Sequence, residues 1–208
     1  MSNMFYSCYS LRKIPKSFIE NMWNVATTTS YVPYYNAFTD CYALDELRDL
    51  PVLTSTLTSN ALSATIRGCQ RLKSFTFATN EDGSPKTANW KSQVIDMASI
   101  LVGVSAFASH AIGYNSGITA DKQVKDDATY QALKNDPDWF TTDPKYSRYN
   151  HDSAVETINS LPDTSAYGTN TIKFKGDSGT LTDGGAINTL TEAEIAVAAA
   201  KGWTVTLS

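Results

Sequence analysis

Apolar residues recur along this chain in blocks, and three segments carry the same block. They are Met4-Phe5-Tyr6-Ser7-Cys8-Tyr9-Ser10-Leu11-Arg12-Lys13-Ile14-Pro15, Ala37-Phe38-Thr39-Asp40-Cys41-Tyr42-Ala43-Leu44-Asp45-Glu46-Leu47 and Ile66-Arg67-Gly68-Cys69-Gln70-Arg71-Leu72-Lys73-Ser74-Phe75-Thr76-Phe77. All three share C-x-x-L-x-x-(I/L/F), with steps of 33 and 28 residues between cysteines, and the first two add a Phe three residues before the Cys. A block this short cannot bury its apolar side alone, so successive turns must stack to make a core. The pattern predicts Cys and Leu pointing inward onto their counterparts. A strand then follows, such as Ser74 to Phe77, with Phe75 and Phe77 inward and Ser74 and Thr76 outward.

The C-terminal half alternates helix and strand. Ala154, Val155, Ile158 and Leu161 have helical spacing, Asp152 is placed to cap that helix and Pro162 to end it. Thr171 to Lys175 alternates as a strand. Thr191 to Lys201 reads as an amphipathic helix, opened by Thr191 with Glu194 three residues on, as in a capping box, and stopped by Gly202. Trp203, Val205 and Leu207 then face inward from a closing strand. Val94 to Met97 reads as a further rung. Between Ala98 and Asn150 the period is lost. That stretch predicts an elaborated repeat with projecting loops and a helix near Asp127 to Lys134. The expected architecture is one α/β solenoid over 1–208, with short parallel strands on one side and helices and loops on the other. Its parts are Cys/Leu-type repeats over 1–97, the elaborated repeat over 98–150 and two helix–strand units over 151–208.

Composition narrows the function classes. Hydrophobic residues make up 42% of the 208, enough for a packed core rather than disorder. Charged residues reach only 18%, so Ser, Thr, Asn, Gln and Tyr must build much of the surface. A net charge of -4 offers no electrostatic drive toward nucleic acid. No apolar run is long enough to insert in a membrane, and the N-terminus lacks the pattern of a secretory signal.

Catalytic chemistry finds little to stand on. The two histidines, His110 and His151, have no H-E-x-x-H context and no marked nucleophile beside them. The acidic clusters Asn80 to Ser84 and Asp121 to Asp127 do not follow a calcium-loop spacing. Gly176, Gly179, Gly184 and Gly185 make no phosphate loop. The three cysteines lack C-x-x-C and are explained by the repeat itself. No catalytic, metal or cofactor residue is therefore expected. A polysaccharide-degrading enzyme is the alternative of another class, since a carboxylate pair across a cleft is not marked by spacing.

The repeats MFYSCYSLRKIP and AFTDCYALDELRDLP resemble the BspA-like leucine-rich repeats of bacterial surface proteins. The ending LTEAEIAVAAAKGWTVTL is similar to the last repeat of related phage and prophage proteins. The resemblance covers roughly residues 4–97 and 151–208. It implies a recognition or structural protein located on a virion or at a cell surface. Its partners would be virion subunits, a host surface protein or a surface glycan, and a bacterial adhesin is the alternative. On the strand side, the expected binding face comprises Lys13, Glu46, Arg48, Ser74, Thr76, Asp96, Lys173, Lys175, Thr204 and Thr206. Tyr31, Tyr34, Tyr35, Trp139, Phe140, Tyr146 and Tyr149 are candidate loop contacts, because exposed aromatics give large contact area at low entropic cost. The first repeat begins at residue 4 without a cap, which predicts either that the chain is a fragment of a longer one or that this rung docks on another subunit or self-associates.

Overall fold

A computed structural model of the chain describes residues 3–19, 36–50, 65–69, 71–86, 93–97, 126–133, 149–174 and 190–207. In chain order the elements are β1 (Glu46–Leu50), β2 (Ser74–Phe77), β3 (Val94–Asp96), α1 (Asp127–Leu133), α2 (His151–Ser160), β4 (Asn170–Phe174), α3 (Glu192–Ala200) and β5 (Trp203–Leu207). A further helical turn spans 16–19.

The three C-x-x-L segments lie stacked, each turn hydrogen-bonded to the next. Phe5 N donates to Ala37 O at 2.8 Å, and one turn later Phe38 N donates to Thr65 O at 3.0 Å. Asp45 N donates to Arg12 O at 3.0 Å, and Lys73 N to Asp45 O at 2.9 Å. Phe5 stacks on Phe38 at 5.5 Å and Tyr9 on Tyr42 at 5.0 Å. Phe38, Cys41, Leu44, Cys69 and Leu72 are fully buried. The residue before each Cys takes a left-handed backbone: Ser7 (φ 59°), Asp40 (φ 59°) and Gly68 (φ 76°). Gly suits that conformation because it has no Cβ to clash, and Asp tolerates it better than most residues. Between turns two and three, Arg71 and Asp45 form a largely buried pair at 3.3 Å.

The strands pair in parallel, in two ladders among the described residues: β1–β2, and β3–β4–β5. The expected single sheet is thus divided between Phe77 and Val94, and helix α2 supplies the reason. On the β2 edge away from β1, Thr157 Oγ1 donates to Phe75 O at 2.6 Å and Phe77 N donates to Ser160 Oγ at 3.2 Å. Two hydroxyls stand where another strand would pair, and so satisfy the edge. In the second ladder Ile95, Ile172 and Val205 form one cross-strand row. Ile95 and Ile172 are fully buried, while Val205 is half-buried against the core. Tyr149 stacks on Phe174 at 6.4 Å, and the residues of both ladders share one apolar core.

The helix ends follow local chemistry, with one correction. α2 is capped by Asn150 rather than Asp152: Ser153 N donates to Asn150 Oδ1 at 3.0 Å, and Asn150 N to Ser153 Oγ at 3.2 Å. The Thr191–Glu194 capping box of α3 is present as the spacing predicts. α3 is not packed as an amphipathic helix, however. Ala198 is its one buried residue among those described, and Ile195 and Val197 are 37% and 36% exposed. Apolar residues surround EAEIAVAAA rather than forming one stripe, so no single face can take them all inside.

Candidate functional site

An open groove of about 170 Å³ lies beside the first turns, lined by Lys13, Ile14, Lys16, Ile19, Glu46, Arg48 and Asp49. Three elements build it. The first turn supplies Lys13 and Ile14, the helical turn at 16–19 supplies Lys16 and Ile19, and β1 supplies the acidic and arginine wall. Alternation along β1 turns Leu47 inward and Glu46 and Arg48 outward. A bulge then adds one residue to β1, since Leu47 pairs with Phe75 but Leu50 with Phe77. Asp49 takes φ 54° there, which brings its carboxylate to 3.7 Å from Lys16 Nζ.

The groove wall is a charge network. Arg48 Nε lies 3.3 Å from Glu46 Oε2, and Lys73 Nζ lies 3.5 Å from Glu46 Oε1. Arg48 Nη1 donates to Glu156 on α2, whose other oxygen accepts from Ser74 Oγ at 2.8 Å. Partial burial pushes the Glu46 carboxyl up, but the hydrogen bond and charge of Arg48, with Lys73 and Lys13, outweigh it and hold the pKa below its ordinary value. For Arg48, burial pulls the pKa down, and Glu156 and Glu46 more than reverse this. Exposed pairs of this kind contribute only about 0–1 kcal/mol each to stability, so substitutions here test binding with little risk to the fold. The groove is smaller than the roughly 300–1,000 Å³ of typical small-molecule pockets.

Of the expected strand-side face, the structure brings Lys13, Glu46 and Arg48 together in this groove. Asp96, Lys173 and Thr206 form a separate row across β3–β4–β5 by register, with Thr204 exposed beside them. Ser74 and Thr76 are corrections: they are only 1% and 8% exposed. Ser74 bonds Glu156 under α2, and Thr76 Oγ1 accepts from Asp49 N at 2.9 Å, which satisfies the bulge. Tyr149 is also corrected, from loop contact to core. It is 6% exposed, and its hydroxyl sits 2.7 Å from Thr157 Oγ1. Lys175, Tyr31, Tyr34, Tyr35, Trp139, Phe140 and Tyr146 lie outside the described residues, as does His110.

Lys16, Asp49 and Glu156 were not anticipated. Lys16 follows Pro15, which suits a helix start, and this is a faint local signal. Asp49 and Glu156 depend on a bulge and a helix packed from 108 residues away. His151 bridges two helices, with Nε2 3.2 Å from Glu194 Oε1 and Nδ1 3.3 Å from Asp152 Oδ1. The Asn80–Ser84 cluster is a hydrogen-bonded turn, with Gly83 N donating to Asn80 O at 2.9 Å. Among the described residues no group of His, Cys, Asp and Glu is arranged to hold a metal ion, and no helix is long and apolar enough to cross a membrane. In comparison with known proteins, no family model, no curated protein and no solved structure matches the chain.

Proposed function

We propose that the chain is a leucine-rich-repeat solenoid of the BspA-like type that works by recognition rather than catalysis. In this reading it is a tail or surface-decorating component of a phage virion, in contact with other virion subunits or with the host surface. The resemblance of the repeats supports the family and the location. One observation carries the binding role: Lys13 and Glu46, which hold the same place on the first two turns, and Arg48, two residues along β1, line one groove with charged tips over the apolar floor of Ile14 and Ile19. Such a surface offers directional polar contacts around a small apolar centre, the usual anatomy of a recognition patch.

The test is binding of the labelled chain to arrays of bacterial surface glycans and bacterial surface proteins. A hit on either array is expected, weakened about tenfold or more by Lys13→Gln combined with Arg48→Gln, with little change in melting temperature. Binding unaltered by the two substitutions, or no binding on either array, removes the groove as the recognition site. Release of reducing ends from a bound glycan replaces recognition by hydrolysis. Immunogold labelling of particles purified from the source culture tests the virion location.

A further inference from the structure

A strand inside a parallel stack has a neighbour along each edge. From the second turn to the third, the ladder is continuous. It starts at Lys73 N, which donates to Asp45 O at 2.9 Å, runs through the β1–β2 pairing and ends at Ala78 N, which donates to Leu50 O at 3.1 Å. From the first turn to the second, it stops early. Asp45 N donates to Arg12 O at 3.0 Å, and no backbone bond joins residues 46–50 to the first turn. Asp49 N turns the other way, to Thr76 Oγ1 at 2.9 Å. Among the described residues, β2 is the one strand beside β1.

Pro15 is the reason. Ile14 and Pro15 hold the places that Leu47 and Arg48 hold one turn on. A proline has no N–H to donate, and its fixed φ is compatible with a helix start. The chain accordingly leaves the stack there, with Phe18 N and Ile19 N both donating to Pro15 O, at 2.9 and 3.2 Å. The charged groove is the space left between the helical turn at 16–19 and β1. A strand edge with free N–H and C=O groups is a template for another strand.

We propose that this edge of β1 takes an extended segment of a partner protein, which pairs its backbone with β1 inside the groove. The inference rests on the reading of the groove as a recognition site and chooses a protein over a glycan as its partner. A polypeptide backbone repeats N–H and C=O groups at the spacing of a strand edge, which sugar hydroxyls do not. The groove also specifies side chains. Successive side chains of a strand face opposite ways, so one would lie over Ile14 and Ile19 and the next beside Lys13, Glu46 and Arg48. Lys16 is paired with Asp49, and Arg48 with Glu46 and Glu156, while Lys13 forms no ion pair or hydrogen bond among the described residues. An apolar residue next to an acidic one is the complement of this groove.

The probe is a displayed library of random peptides of about six residues, the usual length of a strand, panned against the full chain. Enriched peptides are expected to carry an apolar residue beside Asp or Glu. One of them, made synthetically, should slow hydrogen exchange at amides of residues 46–50 by about tenfold or more. N-methylation at alternate residues, on the pairing side, should abolish this, and methylation of the residues between should not. Lys13→Gln should weaken the peptide about two- to fivefold, the range of an exposed pair, and an unchanged affinity would overturn the acidic preference. If every amide of residues 46–50 is protected already in the chain alone, the edge is filled and the proposal falls. It falls equally if no peptide is enriched, or if enriched peptides bind without protecting β1. A glycan that binds, and that weakens with Lys13→Gln combined with Arg48→Gln when no peptide protects β1, overturns this inference and leaves the recognition reading standing.

Discussion

At the scale of single residues, the left-handed positions are the most exacting. Gly202 has φ 80°, and a Cβ there would lie 2.8 Å from Ser165 N and 2.9 Å from Ser165 Cα. Gly83 has the same φ of 80° but nothing within 4 Å of its would-be Cβ. The pair separates backbone strain from steric clash. Gly83→Ala should cost about 1–2 kcal/mol, the left-handed penalty alone. Gly202→Ala should cost more, about 3 kcal/mol or above, because backbone must also move. Urea unfolding of the two variants measures both, and equal losses would show that the approach of Ser165 is not what requires Gly202. The corrected residues belong to this scale too. A small hydroxyl residue in an alternating strand reads as outward because most such residues face water. Ser74 and Thr76 instead face groups that need a donor or an acceptor, namely the Glu156 carboxylate and the Asp49 amide.

At the scale of elements, α2 organises the molecule. It ends the first ladder through Thr157 and Ser160, and Thr157 also lies beside the Tyr149 hydroxyl. Lys201 closes its C-terminal end, with Nζ donating to Asn159 O at 2.6 Å. Thr157→Val keeps the shape but removes the hydroxyl that donates to the buried Phe75 O. It should cost about 1–3 kcal/mol, the penalty of one orphaned buried group. Hydrogen exchange should quicken at Phe77 as the α2 contact loosens, and unchanged exchange there would argue against α2 as the guard of that edge. The capping of α3 was legible because a capping box is written within four residues. Asn150 was not distinguishable from Asp152 locally, since both side chains can cap.

At the scale of the whole molecule, His151 couples the N-terminal ends of α2 and α3. Partial burial pulls its pKa down, but the hydrogen bonds and charges of Glu194 and Asp152 raise it above the ordinary imidazole value. A raised folded-state pKa contributes stability that is fully present below the unfolded pKa of about 6.5 and lost as pH rises through the folded value. Glu194 works in the opposite sense. Its hydrogen bond from the Thr191 backbone and its contact with His151 lower its pKa, so its contribution is present above the unfolded carboxyl pKa and lost as pH falls through the folded one. Urea midpoints should therefore decline as the pH rises from about 6.5 through the raised folded-state value of His151. His151→Gln should flatten that decline while leaving the acid limb largely in place. A midpoint that does not fall over that range in the native chain would rule out the bridge as a source of stability.

What the sequence determined by itself is whatever was written in short, repeated spacing. The C-x-x-L register, the cysteines as ladder residues, the strands at Ser74 to Phe77 and Trp203 to Leu207, and the Thr191–Glu194 cap all depend on residues within a few positions of one another. Local sterics, alternation and capping act over that distance. Tertiary structure decided the division of the parallel strands into two ladders, the burial of Ser74, Thr76 and Tyr149, and the convergence of Lys13, Lys16, Glu46, Arg48 and Asp49 on one groove. Each of these depends on which groups meet across tens of residues of chain. Glu156 reaches Ser74 from 82 positions away. A pattern of apolar and polar positions shows that a residue can face a partner, but only packing selects the partner, because burying an unmatched polar group is too costly to leave that choice open.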